Sequence, residues 1–184
     1  STLGHTAIKT KFEKAAFLLQ TKTSEAVAEF AKTVPEKEIE AIVEELRKYV
    51  VAADTVNRCC SNVEKFSIGT IDTTASKAKL LAAAEEHTSK IIDAVLVDAK
   101  TRFKEVESEY EAIVQIVSRE PKTEMELVKL KTYVDSLGSK VLGLKKRVNN
   151  ASERLGAMGE FGFRLPYDVF KTSWNIRKWP TVIN

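Results

Sequence analysis

The chain has 184 residues, is 43% hydrophobic and 30% charged, and carries a formal net charge of +3. That length fits one domain able to bury roughly 70% of its unfolded surface, and so small a positive balance does not imply nucleic acid, whose footprint is a strongly basic face. No apolar run approaches the roughly 20 residues of a membrane helix, and no charged-then-apolar signal segment opens the chain.

Glycine and proline are scarce and clustered, so long uninterrupted elements are expected. Residues 1 to about 32 read as a first helix, with Ile8, Phe12, Ala15, Leu19, Val27 and Phe30 at helical spacing. Thr33 and Glu36 then form a T-x-x-E capping box, with Pro35 in the first turn, where a missing N–H costs nothing. The second helix carries the seam Ile39, Ile42, Leu46, Tyr49, Ala53, Val56, Cys60 and Val63, and is expected to end near Phe66. Glutamates at 36, 38, 40, 44 and 45 load its N-terminal half, where they complement the helix dipole.

The adjacent Cys59 and Cys60 read as reduced thiols on one helix, small buried or half-buried side chains suited to the cytosol. A linker, 67 to 74, supplies a glycine and several candidate N-caps. From about Thr73 to Arg119 a third helix of about 47 residues would be about 70 Å long. Its second half carries a heptad seam, Ile92, Leu96, Ala99, Phe103, Val106, Tyr110, Ile113 and Val117, whose spacings alternate four and three. Pro121 stops it.

Thr123 with Glu126 forms another capping box, and a fourth helix follows with the seam Leu127, Leu130, Val134, Leu137, Val141, Leu144, Val148, Ala151 and Leu155. Two seams joined by a short turn make an antiparallel helical hairpin. Gly138 and Gly143 inside this helix suggest a bend or the close approach of a neighbour, and Gly156 and Gly159 its end. Beyond them the chain is aromatic-rich, with a short fifth helix from Pro166 to about Ile176. Phe161, Phe163, Tyr167, Phe170, Trp174 and Trp179 either pack across the end of the bundle or serve the next domain.

The expected fold is therefore all-α: an elongated antiparallel bundle of four long helices plus a short C-terminal helix. Its parts are a first helical hairpin (1–66), a long helical hairpin (67–158) and an aromatic-rich C-terminal extension (159–184). A 70 Å helix does not fit inside a compact domain of this size, which would be roughly 40 Å across.

No catalytic or metal site is expected. His5 and His87 lie far apart, and His87 in E-E-H-T lacks a second ligand at helical spacing, so it reads as a solvated surface histidine. The glycines at 156, 159 and 162 lack the Lys-Ser or Lys-Thr of a phosphate loop and no strand precedes them. Lys145, Lys146 and Arg147 read as a solvated basic face, and Glu105 and Glu109 flank the seam rather than converging in a pocket. Trp174 and Trp179 are either core anchors or interface hot spots. The candidate inter-domain or partner contacts are Phe163, Trp174, Trp179 and Pro180.

From Gly69 onward the chain resembles the tail of an axonemal dynein heavy chain just before the linker. The residues that carry the resemblance are G-T-I-D-T-T-A-S-K at 69 to 77, V-E-S-E-Y-E-A-I at 106 to 113 and S-R-E-P-K-T-E-M-E-L-V-K-L-K-T-Y-V at 118 to 134. F-G-F-R-L-P-Y-D-V-F-K at 161 to 171 and Trp179-Pro180 complete the set. The most specific part is Pro121, Thr123, Glu126, Leu127, Leu130 and Tyr133, a helical pattern rather than a catalytic motif; the first 65 residues match nothing beyond being helical.

The resemblance implies a non-catalytic, force-transmitting segment of an ATP-driven microtubule motor of cilia and flagella, with the ATP sites outside it. The implied partners are neighbouring heavy-chain bundles, the linker, and intermediate or light chains. No nucleic acid, membrane, cofactor or small-molecule substrate is implied, and the implied location is the cytoskeleton of the axoneme. Ser1 in place of a methionine and an end at Asn184 in mid-pattern lead us to expect a piece of a longer chain. The alternative is an unrelated helical adaptor or coiled-coil scaffold binding partner helices through the seams.

Overall fold

A computed structural model describes residues 12–13, 15–66 and 69–183. Among the described residues the chain is all-α apart from one short strand pair. Contacts cluster into two units, Ser1–Val95 and Leu96–Asn184.

In the first unit the expected opening helix falls partly outside the described residues, Ile8 included. From Ala16 the chain is broken rather than continuous: a 3-10 turn, Ala16–Leu19, then helix α1, Thr21–Thr33. Gln20 is extended between them. The break changes which face is buried, so Leu18 is inside and Leu19 is exposed, the reverse of an unbroken stripe.

The Thr33 capping box does not form. The Thr33 hydroxyl donates back to the Phe30 carbonyl at 2.9 Å, and Val34–Glu36 makes a 3-10 turn instead. Helix α2, Ile39–Cys59, starts only after Glu38. It buries Ile42, Leu46, Tyr49, Ala52 and Val56, with Ala52 in the place expected of Ala53. Each large apolar side chain so buried contributes about 1.5 to 3 kcal/mol.

Helix α2 ends seven residues short of the expected Phe66, because the chain turns into a hairpin that the sequence pattern did not signal. Strand β1, Val63–Phe66, pairs antiparallel with β2, Gly69–Asp72, from Val63 opposite Asp72 to Phe66 opposite Gly69. Thr73 closes the hairpin: its N–H donates to the Asn62 carbonyl at 2.9 Å and its hydroxyl to the Ser61 carbonyl at 2.5 Å. Helix α3, Thr74–Val117, begins there, and the Asp72 carboxylate accepts from the Thr74 N–H at 2.9 Å. The Thr74 hydroxyl and that bond hold the Asp72 carboxyl below the ordinary aspartate range. Lys77 Nζ ties the start of α3 to the end of α2 by donating to the Cys60 carbonyl at 3.0 Å. Neither cysteine forms a disulfide; Cys60 is buried and Cys59 exposed.

Helix α3 is one element of 44 residues. Its buried stripe runs Leu80, Ala84, His87, Ile91, Val95, Ala99, Phe103, Val106, Tyr110 and Ile113, with Ile92 buried beside it. The spacing is three or four throughout, as one face of a helix requires. The expected seam is buried at Ile92 and from Ala99 to Ile113, but Leu96 is only half-buried and Val117 is exposed, and upstream the stripe follows Ile91 and Val95. His87 sits on that stripe and is 3% exposed, so its reading as a solvated surface residue is overturned. Its Nε2 donates to the Leu18 carbonyl at 3.0 Å and its ring lies 5.4 Å from that of Tyr49. Burial, chiefly, and the bond from its hydroxyl to Glu45 push the Tyr49 phenol well above its ordinary pKa.

In the second unit α3 is followed by helix α4, Glu124–Ala157. Its N-terminus is capped as the sequence predicts: Thr123 Oγ1 accepts from the Glu126 N–H at 3.2 Å. The reciprocal arm lands one residue earlier, on the Lys122 N–H at 2.7 Å. Arg154 pairs with Asp98, and Arg147 with Glu105 and Glu109, so residue numbers rise on one helix as they fall on the other. This is the antiparallel hairpin.

From Leu137 the α4 seam is buried at Leu144, Val148, Ala151 and Leu155, whereas Leu127 and Val134 near the turn are exposed. Gly138 and Gly143 do not mark the close approach of a neighbour, for a Cβ built on either meets nothing within 4 Å, and the helix runs through both. The helix passes Gly156, continues as a 3-10 turn, Met158–Phe161, and is left at Gly162, whose φ of 80° is the left-handed conformation glycine adopts without strain. Helix α5, Tyr167–Ile176, and a five-residue helix α6, Trp179–Ile183, complete the unit.

Candidate contact surface

Helix α5 is apolar on two faces. Val169 and Ile176 are buried. Tyr167, Phe170 and Trp174, spaced three and four apart on the other side, are exposed at 76%, 52% and 55%. Pro166 immediately before the helix has a fixed φ that allows a clean start, and Asp168 in the first turn reaches Lys100 Nζ on α3 at 3.3 Å. That lysine holds the Asp168 carboxyl below the ordinary aspartate range.

The exposed rings are ordered by one another. Phe170 and Trp174 stack with centroids 6.3 Å apart at 21°, and Lys178 Nζ lies 5.8 Å from the Trp174 ring centre, a cation–π distance. Beside them opens a cleft of about 310 Å³. Phe103, Leu155, Phe163 and Leu165 make its apolar walls, and Ser152, Ser173 and Arg177 are its polar groups.

The four contact residues expected from sequence divide between two places. Phe163 and Trp174 line this cleft together. Trp179 instead stacks on Tyr110 with centroids 6.1 Å apart at 6°, and Trp179 and Pro180 are half-buried. Trp174, with more than half its surface exposed, is not a core anchor. Leu165, Arg177, Ser152 and Ser173 line the cleft and were not singled out by the sequence pattern; the three-and-four spacing of Tyr167, Phe170 and Trp174 was the signal available for the exposed face.

A polar cluster inside the hairpin also went unsignalled. Asp98 accepts from Arg102 Nε on both carboxylate oxygens, at 3.0 and 2.9 Å, and from Arg154 Nη1 at 2.9 Å. The Asp98 and Arg154 side chains are 8% and 7% exposed. Arg147 is not simply part of a solvated basic face, since its guanidinium bridges Glu105, at 2.8 Å, and Glu109. The two glutamates thus do converge, on an arginine rather than a pocket.

Among the described residues no group of three or more His, Cys, Asp or Glu is placed to hold a metal ion, and no helix is long and apolar enough to cross a membrane. The outer face of α5 presents apolar and aromatic area with a cationic edge at Lys178.

No protein-family profile matches the chain. It is 28% identical over 88 residues to human dynein axonemal heavy chain 1, a match that takes in 46% of this chain and 2% of that protein's length. The chain is thus similar, in part and distantly, to a dynein heavy chain.

Proposed function

We propose that the chain is a non-catalytic structural segment of a dynein heavy-chain tail, scaffolding and transmitting force between the anchored tail and the linker of an axonemal microtubule motor. The observation that carries this reading is the partial similarity to the human axonemal heavy chain. Its physical support is the hairpin. A load along two helices tends to slide them past each other, and sliding α3 against α4 would part Asp98 from Arg154 inside a low-dielectric seam. Arg147 bridges the same two helices nearer the turn. In this reading Phe163, Trp174, Trp179 and Pro180 meet neighbouring bundles, the linker, or intermediate and light chains.

The test is the full reading frame of the gene. The proposal expects AAA ATPase modules C-terminal to residue 184, preceded by a linker; a frame that carries none overturns it.

One observation favours a second reading, an unrelated helical adaptor. Met125, Leu127, Val128 and Val134 are 69%, 54%, 60% and 45% exposed where the α4 seam nears its turn, and such a seam would suit a partner helix. Sedimentation over a concentration series separates the two, because an intermolecular coiled coil dissociates on dilution and an intramolecular hairpin does not.

A further inference from the structure

We propose that the outer face of α5 and the cleft beside it form a docking site for an acidic amphipathic helix of a partner protein, which inserts one large apolar side chain between Trp174 and Phe163. The inference deepens the scaffold reading by naming the chemistry of a partner, and it rests on that reading only in taking the chain as a protein-binding element.

Three observations carry it. First, Tyr167, Phe170 and Trp174 present aromatic area at the spacing of one helical face, and Phe170, Trp174 and Lys178 already hold one another in place. Rings ordered before binding lose little entropy on contact, which is why aromatic residues dominate binding energy at interfaces. Second, the cleft is concave and mostly apolar, with Phe103 and Leu155 at its base. A side chain from a helix can fill it; a flat lipid surface cannot.

Third, along α5 and the two residues after it Lys171, Arg177 and Lys178 are exposed beside these rings, and the acidic residue of that stretch, Asp168, is already engaged by Lys100. The remaining balance is positive, so complementarity selects a partner with carboxylates flanking its apolar stripe. The geometry matches the helix-in-groove mode, in which anchors at i, i+3, i+4 and i+7 enter an apolar groove.

The experiment uses the intact chain and two fluorescein-labelled synthetic helices that share a leucine and phenylalanine stripe. One has glutamates flanking the stripe, the other lysines. Anisotropy should show the acidic helix binding in the micromolar range, weakening with salt, and the basic twin binding at least about tenfold more weakly. Trp174→Ala should weaken the acidic helix about tenfold or more, as loss of a hot-spot aromatic does, with an unchanged circular dichroism spectrum. The combined Lys171→Glu and Arg177→Glu variant should reverse the preference between the twins.

Equal binding of both helices, or no binding of the acidic one up to about 1 mM, overturns the proposal. So does cosedimentation with phosphatidylserine vesicles that Trp174→Ala abolishes, which would make the face a membrane contact. Self-association lost in the same variant would make it a contact between copies and likewise overturn the proposal. A reading frame without AAA modules, alongside charge-selective helix binding, would remove the dynein reading and leave this site standing.

Discussion

Arg154 Nη1 lies 2.9 Å from Asp98 Oδ2, with both side chains less than a tenth exposed, and the pair joins α3 to α4 across the hairpin. Taking two charges out of water is costly, and what keeps the arrangement favourable is that Asp98 also accepts twice from Arg102. Removing Asp98 takes a nearly buried carboxylate away from two guanidinium groups. Asp98→Ala should therefore destabilise the chain by about 3 to 5 kcal/mol in denaturant unfolding, whereas replacing Asp98 and Arg154 together by apolar residues of similar volume should cost far less. A double variant as unstable as the single would show that the pair contributes by more than mutual charge satisfaction.

Phe103 is 1% exposed at the centre of the hairpin seam and forms the base of the cleft. Phe103→Ala should cost about 3 to 5 kcal/mol, as the cavity it leaves is bounded by helices that cannot collapse fully. An unchanged melting temperature would place the ring in solvent.

Gly138 and Gly143 are exposed in the interior of α4, with open space where a Cβ would go. Each glycine carries more backbone entropy into the unfolded chain than alanine does. Gly138→Ala and Gly143→Ala should each stabilise the chain by about 0.5 to 1 kcal/mol. Thermal unfolding reads this directly, and a destabilised variant would reveal a contact made at that position in solution.

His87 has a donor's task, because the Leu18 carbonyl can only accept. The proton must therefore sit on Nε2, leaving Nδ1 without a partner among the described residues. Nitrogen-15 spectra should show the Nε2–H tautomer. His87→Phe keeps the ring against Tyr49 but leaves the Leu18 carbonyl unsatisfied, a loss of about 1 to 3 kcal/mol.

Asp168 titrates below its ordinary 3.8 because Lys100 bonds to its charged form. A depressed carboxylate contributes stability that is present above the unfolded value and is lost as pH falls through the folded one. The tether between α5 and α3 should thus be intact near neutrality and weaken in acid below about pH 4. Carbon-13 titration of the carboxyl should show the depression, and Lys100→Met should abolish most of it.

Much of the second unit was legible in the order of its residues. The T-x-x-E box at Thr123, the Pro121 stop and the three-and-four spacing from Ala99 to Ile113 depend on neighbours along one chain. The same local rules misled where several local bonds compete. Thr33 had the same box available but bonded backward to Phe30, as a threonine hydroxyl within reach of an i−3 carbonyl can. The segment after Cys59 shows the other limit, because a pair of four-residue strands is a choice made by the Thr73 bonds to Ser61 and Asn62, not by strand propensity.

Residue order alone was enough to establish a helical chain, the hairpin of α3 and α4 and the aromatic segment after it, because helical periodicity and capping are local properties. Which apolar residues went inside was a matter for packing in three dimensions. Val134 and Trp174 are exposed while His87 and Arg154 are buried, since burial depends on whether another element supplies a wall, a carbonyl or a carboxylate at that point. Packing also divided the four expected contact residues, bringing Phe163 to Trp174 in one cleft and placing Trp179 on Tyr110.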